Sequence, residues 1–262
     1  MPPTALRSDR TRQVTVTVAE VLCVLGTLLG VGVLGGPGVA GSASGALAAD
    51  ATLLAPASPA FAIWTPIYVG LAAYTVWQWL PDQASDVRHR RTGYLAAASM
   101  VLNAAWLLVS RAGWLEVSVL VMAMLVACLG VLVTRLGATP SYGTGEAVLV
   151  DGTFGAYLGW VCVAACANVT ATLVARGVDP GRPVSDLLGV LVVAAASALG
   201  VVLARRLGGR WAVAAALAWG LGWVTWGRWA GEPPSAATGL AALVGAVVVL
   251  SATGRQHHTL PV

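Results

Sequence analysis

Seven side chains in this 262-residue chain combine flat aromatic faces with hydrogen-bonding groups at helical spacing. Tyr157, Trp160, Ala164 and Asn168 recur at i, i+3, i+7 and i+11, which places them on one helix face. Ser99, Asn103, Trp106 and Ser110 form a second stripe of the same kind, and Trp64 and Tyr68 are i, i+4 neighbours. The chemistry available to Trp64, Tyr68, Asn103, Trp106, Tyr157, Trp160 and Asn168 is noncovalent. Rings can stack on a planar guest while a few amides and hydroxyls orient it, as in most small-molecule pockets. The same stripes also suit interhelical hydrogen bonding with no guest at all. Spacing alone leaves both readings open.

The elements that must carry these residues are membrane helices. The chain is 58% hydrophobic and 10% charged, whereas a soluble domain carries about 25% charged residues. Apolar runs about 20 residues long recur from end to end, without the short alternating segments of a β-barrel. Eight spans are expected, at 14–34, 62–80, 93–110, 115–134, 152–175, 187–204, 211–228 and 236–252. The first could be mistaken for a secretory signal, but its apolar run exceeds the ~7–15 residues of such a segment, and it is expected to be retained. Its Gly26/Gly30 and Gly32/Gly36 pairs suit close helix packing. The fold class is therefore an all-α polytopic membrane protein.

All 15 basic residues are Arg. With the N-terminus inside, Arg7, Arg10, Arg12, Arg88, Arg90, Arg91, Arg135, Arg205, Arg206, Arg210 and Arg255 fall on the inner side, and Arg111, Arg176, Arg182 and Arg228 on the outer side. This bias places both termini in the cytoplasm of a cell whose plasma membrane holds the protein. Arg scattered between spans also argues against a nucleic-acid partner. The connection 35–61 is then external, and its length suits either a disordered segment or a lid.

Eleven Trp against two Phe is an unusual ratio. Trp79, Trp114, Trp211 and Trp229 lie at span ends, where indoles form an interfacial belt. Trp106, Trp160, Trp219 and Trp223 lie deeper, where an indole N–H needs a partner. Cys23, Cys128, Cys162 and Cys166 read as small buried hydrophobes, His257 and His258 as a solvated pair, and no metal-ligand cluster, nucleophile–base pair or phosphate loop is evident. Asp151 reads as an interfacial carboxylate at the start of the fifth span, and Glu20 is either interfacial or buried. Trp219, Trp223 and Trp226 share one face, which is expected to pack against the preceding helices.

The stretches "FAIWTPIY", "LNAAW" and "AYLGWVCVAACAN" resemble three motifs of the translocator protein family, the tryptophan-rich sensory proteins (TspO/MBR). They occur in the family's order, on what would be its second, third and fifth helices, and the resemblance runs from Val14 to Ala175. It implies a five-helix core (14–175) between a cytoplasmic N-terminal tail (1–13), three additional packed transmembrane helices (176–252) and a cytoplasmic C-terminal tail (253–262). It further implies a pocket below the loop joining helices one and two. Family members bind porphyrins, cholesterol-like lipids and benzodiazepine-type ligands, and have been proposed as sensors, transporters and porphyrin-degrading enzymes. Carried over by motif, the ligand-binding positions are Trp64, Tyr68, Asn103, Trp106, Tyr157, Trp160 and Asn168. The loop ahead of the second helix, "LLAPASPAF", lacks the family's Trp, Ala156 replaces a usual Pro, and "ATLVARG" lacks the sterol-recognition Tyr.

The expected function is thus a sensory membrane protein that binds a hydrophobic or aromatic small molecule, with a transporter as the alternative and no enzymatic role. No cofactor is obligatory, porphyrin or haem is a candidate ligand, membrane lipids are partners, and a homodimer is left open. The topology is testable with single cysteines introduced at Ser44 and Ser85. An impermeant thiol reagent should label Ser44→Cys only from outside and Ser85→Cys only from the cytoplasm; the reverse pattern would invert the orientation.

Overall fold

The computed structural model describes residues 3–259, with side chains over 7–256. His257 and His258 lie outside the described side chains. Eight long helices dominate: α1 Pro3–Gly30, α2 Trp64–Trp77, α3 Val87–Arg111, α4 Leu115–Gly137, α5 Thr153–Ala175, α6 Val184–Arg206, α7 Trp211–Ala230 and α8 Ala236–Thr259. Among the described residues, seven helical stretches are long and apolar enough to cross a membrane. The remaining long helix, α7, falls short because its five Trp and Arg228 lower its mean hydropathy, yet it packs inside the assembly.

Local chemistry sets most element ends. Asp86 caps α3, its Oδ1 accepting the Arg88 N–H at 2.6 Å. Pro66 lies in the first turn of α2, where its missing N–H costs nothing. A 3₁₀ turn, Ser58–Ile63, leads into α2. The segment ahead of α5 is wound as a π-turn, Ala147–Gly152, which carries Asp151. The long connection after α1 holds two short 3₁₀ turns, Val39–Gly41 and Ala43–Gly45, and folds as a lid.

The helices pack side by side. α3 lies between α1 and α4, α4 touches α5, and α2 covers α1 and α5. The pairing of α1 with α3 is close because Gly26 and Gly30 have no side chain. A Cβ on Gly26 would come within 2.7 Å of the Ala104 Cβ, and one on Gly30 within 2.8 Å of the Leu107 Cβ. Gly32 and Gly36 do not extend this seam. They lie beyond the helix with φ of 85° and 78°, conformations that only glycine adopts freely, and they turn the chain into the lid.

The last three helices form a layer docked through α7. Gly155 and Gly159 of α5 face Ala212, Val213 and Leu217, while Gly220 of α7 receives Val163. A Cβ on Gly159 would sit 2.2 Å from the Val213 carbonyl oxygen, so the two backbones touch. Trp219, Trp223 and Trp226 do not pack as one face. Trp226 is 62% exposed and points away from the bundle, whereas Trp223 packs partly against the core and Trp219, 41% exposed, donates its indole N–H to the Ala60 carbonyl. The packed face of α7 consists of Val213, Ala214, Leu217, Gly220, Leu221 and Val224, with Gly220 letting Val163 of α5 approach closely.

A Gly159→Ala substitution should therefore push α7 off α5 and destabilise the protein in detergent by about 1–3 kcal/mol. Thermal unfolding checks this; Gly130→Ala, where a Cβ meets nothing within 4 Å, should leave the transition unchanged.

Candidate ligand pocket

Trp64 is the hub of an aromatic box. Its ring stacks on Tyr68 with centroids 5.2 Å apart, and meets Trp160 and Tyr157 edge-on at 6.2 Å and 5.8 Å. Phe61, from the turn before α2, meets Trp160 edge-on at 5.7 Å. These edge-to-face and stacked geometries suit the ring quadrupoles and rigidify the walls.

Above the box lies a cavity of about 350 Å³. Trp64, Tyr68, Trp106, Trp160 and Asn168 line it, together with Gly30 and Leu107 and the small residues of the lid from Val31 to Phe61. Among the described residues the lining holds no Asp, Glu, His, Arg, Cys or Ser. It is a small apolar chamber whose few polar side-chain groups include those of Tyr68, Asn168 and Thr52.

Two of the seven expected residues stand behind the wall rather than in it. Asn103 is fully buried, and its amide donates to the Tyr68 hydroxyl at 2.9 Å. Tyr157 is equally buried and donates to the Ser99 carbonyl at 3.2 Å. Both orient wall residues: one holds the Tyr68 phenol, the other backs the Trp64 ring. The reason is depth, since Asn103 and Tyr157 sit about a turn below Trp106 and Trp160 on their helices.

Asn168 is used structurally as well. Its Oδ1 accepts the Trp106 indole N–H at 2.8 Å, and its amide donates to the Ser118 hydroxyl at 2.9 Å. The Trp106 N–H therefore has its partner, whereas the Trp160 indole nitrogen is buried without one. Below Tyr68, Glu20 of α1 is 6% exposed with both carboxylate oxygens unpartnered. This resolves its placement as buried, an unusually costly arrangement in a membrane protein.

The opposite end is closed by charge. Arg88 donates to Glu146 at 2.6 Å and to Asp151 at 2.8 Å, and Arg210 reaches the same Asp151 oxygen at 2.6 Å. Asp151 is thus a shared carboxylate inside an ion-pair group, rather than a solvated helix start. Arg12 bonds Gln78 and the Ala84 carbonyl, and Asp9 pairs with Arg90. The fold also gathers Asp86, His89 and Glu146, with ligand-type atoms within 4.8 Å of one another. Such a grouping is invisible in the sequence, where Glu146 is remote. Its carboxylates are already engaged, since Glu146 binds Arg88 and the Tyr142 N–H while Asp86 caps α3. Between this base and the cavity, Leu71, Tyr74, Met100, Leu125 and Phe154 fill the interior. Cys162 and Cys166 remain free thiols.

This architecture defines a class: a polytopic helical membrane protein with a lidded, aromatic-walled cavity toward one end. Comparison with known families makes it specific. The chain belongs to the TSPO-like protein family, whose model matches residues 15–254. The match extends through α6, α7 and α8, beyond the Ala175 limit of the motif resemblance. No curated protein and no solved structure gives a significant match.

Replacing Asn168 with Leu strands the Trp106 indole N–H and the Ser118 hydroxyl in a dry interior. A loss of about 1–3 kcal/mol in unfolding free energy is expected, read as a lower melting temperature. Glu20→Leu should do the opposite and raise it, because it removes an unpartnered carboxyl group.

Proposed function

We propose that this protein is a TspO-like sensory membrane protein that holds a hydrophobic, aromatic small molecule, a tetrapyrrole or a lipid, in the lidded cavity. The observation that carries the reading is the cavity itself. Its volume of about 350 Å³ falls within the ~300–1,000 Å³ of small-molecule sites. Its walls offer the stacking faces of Trp64, Tyr68, Trp106 and Trp160. The uncharged lining favours a guest whose buried part is neutral, with any anionic groups left at the mouth.

Binding is favoured over transport by the packed interior under the box and by the ion-pair group at the base. A binding role is favoured over catalysis because the lining holds no carboxylate, imidazole or thiol to activate its Thr52 or Tyr68 hydroxyl. The same reading puts the protein in the plasma membrane, with both termini cytoplasmic and the lid external. Its support is the bias of eleven Arg against four across the spans.

Protoporphyrin IX added to nanodisc-embedded protein tests the reading through changes in Trp emission. Trp64→Leu and Trp160→Leu each remove a stacking wall and should weaken binding about tenfold, equivalent to ~1.4 kcal/mol. Trp114→Leu, which alters an exposed indole away from the cavity, should not change affinity. Equal effects from all three variants, or no binding by the wild type, would favour pure interhelical packing for these residues.

A further inference from the structure

Arg228, near the end of α7, is 1% exposed and meets no carboxylate within hydrogen-bonding distance. Its guanidinium instead donates to backbone carbonyls on two segments. From the lid it takes Thr52 at 2.8 Å and Ala49 and Ala55 at 3.4 Å. From the turn after α7 it takes Pro233 at 2.9 Å and Glu232 at 3.0 Å. Ala49, Thr52 and Ala55 all line the cavity, so these bonds sit directly behind its roof.

Neighbouring contacts reinforce the grip. The Ala57 N–H donates to the Trp223 carbonyl at 3.1 Å, and the Trp219 indole donates to the Ala60 carbonyl at 2.9 Å. Gly227 passes so close that a Cβ there would lie 3.4 Å from the Ala57 nitrogen. The other edge of the lid is held differently. Arg111 of α3 bonds the Leu29 and Gly35 carbonyls, but those bonds are exposed to solvent. Charge-assisted bonds shielded from water are much stronger than exposed ones. The α7 edge, with its shielded bonds, is the more firmly latched of the two.

We infer that Arg228 is the positioning residue that holds the roof onto the cavity, so that the helices beyond the five-helix core govern entry to the pocket. The inference rests on the binding reading above for its consequence, though not for its mechanics. Any guest that outgrows the chamber of about 350 Å³ needs the roof to lift. The extension then sets both the rate of exchange and the size of guest admitted.

Hydrogen exchange of the full chain in nanodiscs tests the latch without any ligand. In Arg228→Met, amides of 46–60 should exchange about tenfold faster while the middles of α3 and α5 keep their protection. Association of protoporphyrin IX should accelerate by about the same factor, as for binding limited by a conformational opening. Arg228→Lys keeps the charge but reaches fewer carbonyls, and should give an intermediate result. Unchanged lid exchange and association in a variant whose α3 and α5 remain protected would overturn the inference. Should Arg228→Met fail to fold, Arg228→Lys and Trp219→Phe each release part of the grip, and wild-type lid exchange in both would overturn it equally. Absence of protoporphyrin IX binding to the wild type would sink the tetrapyrrole reading instead, leaving lid exchange to decide the latch.

Discussion

The contact of α5 with α7, where the Gly159 Cα faces the Val213 carbonyl with no room for a Cβ, is the constraint on which the rest of the architecture depends. It makes α5 a two-sided wall. One side carries Tyr157, Trp160 and Asn168 toward the box, and the other is stripped to glycine so that a second backbone can approach. Lipid supplies little hydrophobic force between helices, so van der Waals contact of this kind does much of the holding. Once α7 lies against α5, its far end reaches the lid and its near end reaches Asp151. Roof and base are both tied through the same helix.

The polar groups inside the bundle follow one rule, with instructive exceptions. In an apolar medium an unmet donor or acceptor is expensive, and Asn103 and Asn168 spend their amides on tying helices together. Binding and glue, which spacing could not separate, turn out to be layers of one construction. Trp106 presents its face to the cavity while its N–H is held by Asn168. Glu20 and the Trp160 indole nitrogen break the rule beside the aromatic box, and the Tyr74 hydroxyl breaks it in the packing away from it.

What was legible in the sequence was whatever repeats with the helical period. The aromatic stripes and the seam at Gly26 and Gly30 follow from spacing along a single element, whereas of the eight expected spans seven are apolar enough to cross a membrane. Three features were not legible. The grip of Arg228 falls on backbone carbonyls, which every residue has, so no side-chain pattern announces it. The grouping of Asp86, His89 and Glu146 needs tertiary closure across distant segments. Trp219, Trp223 and Trp226 share a face too deep for an interfacial belt, yet only the tertiary packing sends Trp226 outward and aims the Trp219 indole at the Ala60 carbonyl.

Asp151, held between Arg88 and Arg210, carries a consequence for how the chain is assembled. Arg88 and the two carboxylates Glu146 and Asp151 precede Arg210 in the chain, so until it is made the group is one positive charge short. The arrival of Arg210 at the start of α7 restores neutrality, and it can do so only if that helix begins on the same side as Arg88. The late hairpin is thus oriented by an acceptor already waiting in the inserted portion, in addition to the charges flanking it.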